Sequence, residues 1–543
     1  MITGKINAMN AENKQSSIAF VIGASSVGTL IEWYDFYIFG MLATILSKQF
    51  FPLEAGTAAL LSTLAIFAAG FIVRPFGALV FGRLGDLIGR KHTFLLTLVL
   101  MGGSTFAIGL VPGYATIGWA APILVLLLRL LQGLALGGEY GGAATYVAEH
   151  APKGQRGFWT SWIQTTATLG LFLALGVIIL IRSNQGVDKF SAEWGGWRYP
   201  FWISILLVGV SVLIRMRMSE SPMFSKLKSE GKISINPLKE SFGNKANFKM
   251  VLLALFGAVM GQGVVWYTGQ FYAQSFIETV CKVEFIQSRN IMLIAILMAT
   301  PCFVLFGWLS DKVGRKWIML TGMLLAIVTY RPIYKTFIST TAASNKTVLA
   351  KSDSVQNQRN IKLVADAKEV NKVLLVQKFD TTYTDGSVFK YTKTDTFHLN
   401  VAYDKSLSST SIDPSTVVTK SNKPNVVIEK VLGNASYWKM IWLVFIQIVY
   451  VTMVYGPIAA FLVEMFPTKI RYTSMSLPYH IGNGVFGGLV PFLGTLIVEF
   501  TKTTAQPNGD VLAGLWYPIG VAAVSMVIGI VYLSNKLDEN VMD

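Results

Sequence analysis

Two acids three residues apart, Glu32 and Asp35, interrupt a long apolar run that starts near residue 19. In a helix that spacing puts them on one face, and at 1.5 Å per residue they lie roughly 20–24 Å along it, near or past the middle of a bilayer. A carboxylate there costs several kcal/mol unless it is paired, hydrated or protonated. The pair is therefore suited to carrying a proton or touching a substrate, with a helix–helix hydrogen-bond anchor as the structural alternative. Tyr34 lies between them, and Arg74 sits in the next apolar run, where it can either bind a carboxylate or snorkel to the membrane surface. Arg129, Gln132 and Glu139 share the fourth run. Arg129 is always cationic, so it can hold an acid ionised in one state and release it when that acid takes a proton or an anionic substrate arrives. For Glu139 a fixed ion pair is the alternative. Gln164 adds a polar group in the fifth run. Later, Gln262, Trp266, Tyr267 and Gln270 recur every three to four residues, which fits a cavity face or simple packing. His480 and Asn483 are again three apart, His480 being either a proton site or a packing group.

The elements that must position these groups follow from composition. The chain has 543 residues, of which 52% are hydrophobic and only 14% charged, with a mean hydropathy of +0.51. That is too little charged surface for soluble domains and indicates an all-α polytopic membrane protein. Twelve stretches are long and apolar enough to span, near 19–47, 57–82, 92–111, 119–148, 157–181, 199–218, 250–277, 290–309, 317–334, 437–463, 474–499 and 513–534. The expected organisation is an N-terminal six-helix half (1–218), a Lys-rich cytoplasmic linker (219–249), helices 7–9 (250–334), an extracytoplasmic insertion (335–436), and helices 10–12 with a short tail (437–543). The first run is too long for a signal-peptide core and is expected to stay as an anchor.

Net charge is +16. Most Lys and Arg of the short loops fall at the N-terminus, in alternate loops and in the C-terminal tail, which places both termini in the cytoplasm and makes nucleic-acid binding an unnecessary explanation. Cys281 and Cys302 offer neither a disulfide framework nor a metal site. There is no Gly-x-x-x-x-Gly-Lys-Ser/Thr, so ATP-driven pumping is unsupported; the expected driving force is a proton gradient, with no cofactor or metal.

Two motifs recur. Gly82-x-x-x-Asp86-x-x-x-Arg90 returns as Gly307-x-x-x-Asp311-x-x-x-Arg315, and Glu149-x-x-Pro-x-x-x-Arg156 returns as Glu464-x-x-Pro-x-x-x-Arg471. The second pair is offset by about 90 residues more than the first, which locates the insertion in the second copy. Within it, the alternation of Lys372–Phe379 and Val388–Thr394 about Asp385-Gly386 predicts a β-hairpin, with Val426–Ile428 a further strand. A disordered tether is the alternative, and the β-branched and aromatic content favours a small β-rich module.

These paired motifs and twelve helices resemble the major facilitator superfamily. Gly28-x-x-Ile-Glu32-Trp-Tyr-Asp35-Phe36, Arg74-Pro-x-Gly77, Arg129-x-x-Gln132-Gly133 with Gly137-Gly-Glu139-x-Gly-Gly142, and Tyr455-Gly-Pro457 resemble its metabolite:proton symporter branch, which includes α-ketoglutarate, shikimate, citrate and proline/betaine carriers. The resemblance implies two six-helix halves rocking about a central site, and a gating role on the cytoplasmic side for Gly82, Asp86, Arg90, Glu149, Arg156, Gly307, Asp311, Arg315, Glu464 and Arg471. It implies proton-coupled import of a small polar metabolite rather than enzymatic chemistry, with protons, a small solute and the bilayer as partners. Arg129 and Arg74 suit an organic carboxylate, whereas the acids and helix-seven aromatics could suit a betaine. Osmosensing members carry a long C-terminal coiled coil, and only about nine residues follow the last helix here. A non-transporting receptor that uses the exported insertion to bind a partner is the rival reading. A monomer in the bacterial inner membrane is expected.

Overall fold

In lipid, backbone groups must be satisfied within the segment, so apolar runs of this length fold as helices. The computed structural model describes residues 18–52, 55–88, 90–137, 144, 147–148, 151–152, 154–216, 237–352, 361–365, 372–400, 417–420, 425–467 and 470–535. The apolar helices are α1 (Ile18–Met41), α2 (Gly56–Phe81), α3 (Arg90–Ile108), α4 (Ala120–Leu136), α5 (Arg156–Ser191), α6 (Tyr199–Met216), α7 (Lys245–Thr279), α8 (Phe285–Val313), α9 (Arg315–Thr341), α10 (Asn434–Met465), α11 (Thr473–Phe500) and α12 (Trp516–Tyr532). Among the described residues nine are long and apolar enough to cross a membrane. α1 makes a tenth when joined to Ala43–Phe50 across a 61° bend, and α3 and α4 are shorter apolar helices.

Two helices outrun their expected ends. α5 runs past 181 to a break at Gly186, whose non-helical φ of 76° separates it from a further helical piece ending at Ser191. α9 continues past 334 to Thr341 with Pro332 inside it. A proline is tolerated in a membrane helix because its surroundings re-satisfy the freed carbonyl, so the helix runs through Pro332 and on past the expected end at 334. The first strand of the insertion then starts only at Val348.

Two compact units are present. One comprises Met1–Ala273, Leu293–Pro332 and Val444–Asp543; the other comprises Gln274–Met292 and Ile333–Leu443. The second unit holds the insertion, a six-stranded antiparallel sheet of β1 (Val348–Ser352), β2 (Ile361–Ala365), β3 (Lys372–Tyr383), β4 (Val388–Leu399), β5 (Val417–Lys420) and β6 (Asn425–Val431). The expected hairpin is its centre: β3 pairs with β4 from Lys372↔His398 to Thr382↔Val388, and Gly386, at φ 80°, makes the turn. β1 and β2 flank β3, while β5 and β6 flank β4. The expected strand at 426–428 is part of β6. β1, β2 and β5 are too short to announce themselves by alternation.

The sheet is pinned to the helix ends of its own unit. Leu432 and Gln287 exchange two hydrogen bonds of 2.7 and 2.9 Å. The Lys430 backbone bonds to Lys282 and Glu284, and Lys430 Nζ donates to the Thr341 carbonyl at 2.6 Å. Lys346 pairs with Asp385 and donates to Ser387 and Ser436, each at 3.1 Å. Burial alone would raise the Asp385 carboxyl, but Lys346 and the Ser387 donors outweigh it and bring it down to about 2. A depressed acid stabilises the fold above its unfolded value, here 3.8, and that contribution disappears as pH falls through the folded value. We therefore expect this corner to be indifferent to pH above about 4 and to loosen only between about pH 4 and 2. Proteolysis at the hairpin turn as a function of pH measures it, and cleavage that rises already near pH 6 would contradict the assignment.

Candidate functional site

Close helix contacts set the site. A Cβ on Gly133 would stand 1.8 Å from the Gly70 carbonyl oxygen, and one on Gly77 would stand 2.0 Å from that of Leu134. Only glycine lets α2 and α4 approach so closely, and this approach turns Arg74 and Arg129 into the same interior.

Both arginines are buried, at 3% and 1% exposure. Arg74 is therefore not snorkelled. Its guanidinium faces the rings of Phe36 and Phe71 at 4.7 and 4.2 Å, and its Nε and Nη2 have no hydrogen-bond partner. Arg129 faces Phe36, Phe39 and Phe67 at 4.6–5.1 Å. It donates to the Gln132 side-chain oxygen and, at 3.4 Å, to the Phe67 carbonyl. Neither arginine pairs with a carboxylate among the described residues. What holds Arg129 is thus an amide, a carbonyl and three rings, not the acid that its sequence position suggested; Glu139 lies outside the described residues. Because both guanidiniums face Phe36, they lie within about 10 Å of each other.

Glu32 and Asp35 are both buried. Neither Asp35 carboxyl oxygen has a hydrogen-bond partner. Gln132 links Asp35 to Arg129: its amide nitrogen donates to the Asp35 backbone carbonyl at 3.2 Å and to Thr105 at 2.8 Å, while its oxygen accepts from Arg129. Tyr34 donates to the Pro200 carbonyl at 2.9 Å, which commits it to anchoring α1 on α6.

From α7, Trp266 brings its ring to 5.5 Å from Trp33, 5.8 Å from Tyr37 and 6.1 Å from Tyr455. Tyr267 stands 5.1 Å from Phe71. Gln270 is fully buried and neither amide atom has a partner; the Trp266 N–H and the Tyr37 and Tyr267 hydroxyls are likewise unpartnered. Gln262 and Asn483 exchange two 2.9 Å hydrogen bonds and are satisfied by each other, tying α7 to α11. Gln164 is buried, as is His480, whose ring lies 5.4 Å from that of Tyr479. π-Helical segments at Thr268–Tyr272 and Ile481–Gly487 carry Gln270 and Asn483. Such segments re-aim side chains and collect at functional sites, and no sequence periodicity announces them. Trp33, Tyr37, Phe36, Phe71 and Tyr479 were missed. The first two were findable, since they are four residues apart, one helical turn, on the stretch that holds the acids.

The repeated motif of the second copy is knit together by hydrogen bonds and ion pairs, the arrangement a latch would need. Asp311 accepts from the Gly157 and Phe158 backbone N–H groups, each at 2.8 Å, and so caps the start of α5, which begins at Arg156. Arg315 pairs with Asp311 at 2.6 Å and with Glu464 at 2.9 Å. A Cβ on Gly307 would come within 2.4 Å of Ser161. Arg471 donates to the Phe466 carbonyl at 3.0 Å. In the first copy, Gly82 and Asp86 fall in the helix Arg74–Ile88 and Arg90 starts α3, but their side chains, and all of Glu149, lie outside the described residues. Asp311→Asn removes the charge from both the helix end and Arg315, at a cost of about 1–3 kcal/mol. We expect alkylation of Ser161→Cys, in a background lacking Cys281 and Cys302, to rise about tenfold or more; an unchanged rate would show that the latch does not control this end.

The Major Facilitator Superfamily model matches residues 25–345. The chain is 36% identical to the proline/betaine transporter of Salmonella typhimurium over 55% of its own length and 61% of the relative's. It is 36% identical to the alpha-ketoglutarate permease of Escherichia coli, over 59% and 72%. The chain thus spans about three fifths of the length of the proline/betaine transporters it matches. A Haemophilus influenzae protein named "Putative metabolite transport protein" is 32% identical over 97% of this chain and 96% of its own. The fold matches the xylose transporter of E. coli in a partially occluded inward-open conformation, with a TM-score of 0.60 at 15% identity, over 96% of this chain and 99% of the other. The matched residues, the repeated motifs and the helical architecture agree, and the chain belongs to the Major Facilitator Superfamily.

Proposed function

We propose that this protein is a proton-coupled symporter that imports a small organic carboxylate by alternating access. The observation that carries the reading is the pair of buried arginines, Arg74 and Arg129, about 10 Å or less apart and without a described carboxylate partner. Two buried cations with no carboxylate partner among the described residues are costly, and an anion with carboxylates at both ends of a short spacer would relieve both. The unpartnered Gln270, Tyr37 and Tyr267 groups suit a hydroxyl or oxo oxygen between them.

Coupling then runs between Asp35 and Arg129, which Gln132 holds near each other by bonding the Asp35 backbone carbonyl and the guanidinium. Asp35 without a donor favours a neutral carboxyl, and a neutral Asp35 does not compete with substrate for Arg129. When substrate leaves toward the cytoplasm, Arg129 is freed, an ionised Asp35 becomes tolerable, and the proton is released on that side. The latch at Asp311, Arg315 and Glu464 would open at that stage. The twelve apolar helices support a reading as two six-helix halves, with both termini cytoplasmic, the insertion periplasmic, and the chain acting as a monomer in the inner membrane. The proton gradient alone would drive it. A betaine is the second reading: Trp33, Tyr37, Trp266 and Tyr455 form a cluster with each ring 5.3–6.1 Å from a neighbour, and a quaternary ammonium admitted among them would gain cation–π attraction.

Adding dicarboxylates, hydroxy acids, citrate, proline and betaine in turn to lightly buffered, de-energised cells tests this through external pH. Alkalinisation by a carboxylate supports the first reading and by betaine the second. No response to any solute from surface-expressed protein, with ligand-induced thermal stabilisation still present, would favour a non-transporting receptor.

A further inference from the structure

The ring of Phe271, on α7, is 4% exposed and packs against aromatic rings of three helices. On α1 it meets Tyr37 at 5.5 Å and Phe36 at 6.5 Å, and on α2 it meets Phe67 at 5.1 Å. On its own helix it meets Trp266 at 6.0 Å and stacks on Tyr267 at 5.6 Å. What makes room for it is Gly40. A Cβ there would stand 2.5 Å from Phe271 Cε1, 2.9 Å from Cδ1 and 3.0 Å from Phe67 Cε2. Any larger residue at 40 would therefore push the ring of Phe271 out of its place.

The three contributing positions share one level. Gly40 follows Asp35 on α1 by about 7.5 Å, Phe271 follows Trp266 on α7 by about 7.5 Å, and Phe67 precedes Arg74 on α2 by about 10 Å. With the termini cytoplasmic, as proposed above, all three offsets point away from the cytoplasm. The rings thus cross the interior on the outer side of Asp35, Arg74 and Trp266. Phe67 also lies 5.1 Å from the Arg129 guanidinium, so a single ring touches both the cation and Phe271. Phe271 is carried by the π-helical segment Thr268–Tyr272, a geometry that collects at functional sites. Ordinary core packing accounts for a buried phenylalanine. It does not account for one that reaches from α7 into α1 and α2 at the one level where α1 presents glycine to it.

We propose that Phe271 is the outer plug of the substrate path and Gly40 is its socket. With the ring seated between Gly40 and Phe67, the interior is closed toward the outside. With α7 drawn back from α1, the ring leaves the socket and a solute can reach Arg74 and Arg129 from that side. The proposal deepens the alternating-access reading and rests on it.

Distances between spin labels on the full chain in lipid nanodiscs, in a background lacking Cys281 and Cys302, test it. One pair, Thr57→Cys with Asn508→Cys, reports the outer side, and another, Gln155→Cys with Val313→Cys, reports the inner side; all four positions are exposed. Phe271→Ala and Gly40→Val are each expected to raise the ratio of long to short outer distances by about tenfold or more, with the inner distances unchanged or shorter. The swap Gly40→Leu with Phe271→Ala returns the lost bulk from the opposite side, and it is expected to bring the ratio back to within about threefold of the parent. If Gly40→Val does not fold, Phe271→Ala and the swap decide. Outer distances unchanged by Phe271→Ala would overturn the proposal, as would inner and outer distances lengthening together, which is general loosening. A swap as open as the single variants would overturn the socket. The labels are read without solute or proton gradient. Failure of symport in the external-pH assay would therefore leave a positive result standing, and unchanged distances would leave the transport assay to judge the carboxylate.

Discussion

Asp35→Asn is expected to abolish uphill accumulation of substrate, lowering the steady-state gradient about 100-fold or more, while exchange of labelled for unlabelled substrate continues. The reasoning is steric as well as electrostatic. Asparagine has the shape of the neutral carboxyl, and Asp35 is fully buried with no donor to either oxygen. Loading through Arg129 and Gln132 should therefore survive, and only the ability to lose the proton disappears. Stability should change by about 1 kcal/mol or less, because no charge-assisted bond to the side chain is removed. Glu32→Gln, on the same face one turn earlier, is the control: loss of accumulation there with Asp35→Asn unaffected would reassign the proton to Glu32, and full accumulation by both would end the symport reading. Counterflow and electrochemical-gradient measurements on reconstituted protein distinguish these results.

Arg129→Gln and Arg74→Gln are each expected to weaken substrate binding by about 100-fold, since a charge-assisted hydrogen bond to a buried cation is worth about 2–3 kcal/mol. Both guanidiniums face Phe36, so the double variant should lose less than the product of the two. Arg129→Lys should not restore binding, because an ammonium cannot reproduce the flat contact with Phe36, Phe39 and Phe67 while still reaching Gln132. Ligand-induced thermal shift reads the affinity independently of flux. Binding unchanged in both variants would remove the carboxylate assignment. Binding lost in Trp266→Leu instead would move the weight to the aromatic box and a cationic headgroup.

The Gln262–Asn483 pair shows what kind of error the helical stripe on α7 invited. Spacing correctly placed Gln262, Trp266, Tyr267 and Gln270 in the interior, but spacing carries no information about which of them another helix has already satisfied. Asn483, more than two hundred residues away, occupies Gln262 at both ends of its amide, whereas Gln270 is left with neither end used. Tyr34 is a similar case. It shares a helix with the acids, yet its hydroxyl is spent on Pro200 of α6.

The sequence by itself determined that the chain is a polytopic helical membrane protein with a duplicated loop motif, a β-hairpin insertion and buried charge on α1, α2 and α4. Each of these rests on local pattern: apolar run length, period-two alternation, a recurring acid–base spacing, or an ionisable residue inside an apolar run. Only the tertiary structure decided how the charges are partnered. It turned Arg74 and Arg129 toward rings, with no acid partner among the described residues, set Gln132 between Arg129 and the Asp35 backbone carbonyl, and joined Asp311, Arg315 and Glu464 at the start of α5. It also decided that the insertion is seated on its helix ends and that π-helical turns carry Gln270 and Asn483. The physical reason is the same throughout. Burial of a polar group is a property of one position and can be read from its neighbours in the chain, but its hydrogen-bond partner is chosen by packing between helices that are far apart in sequence.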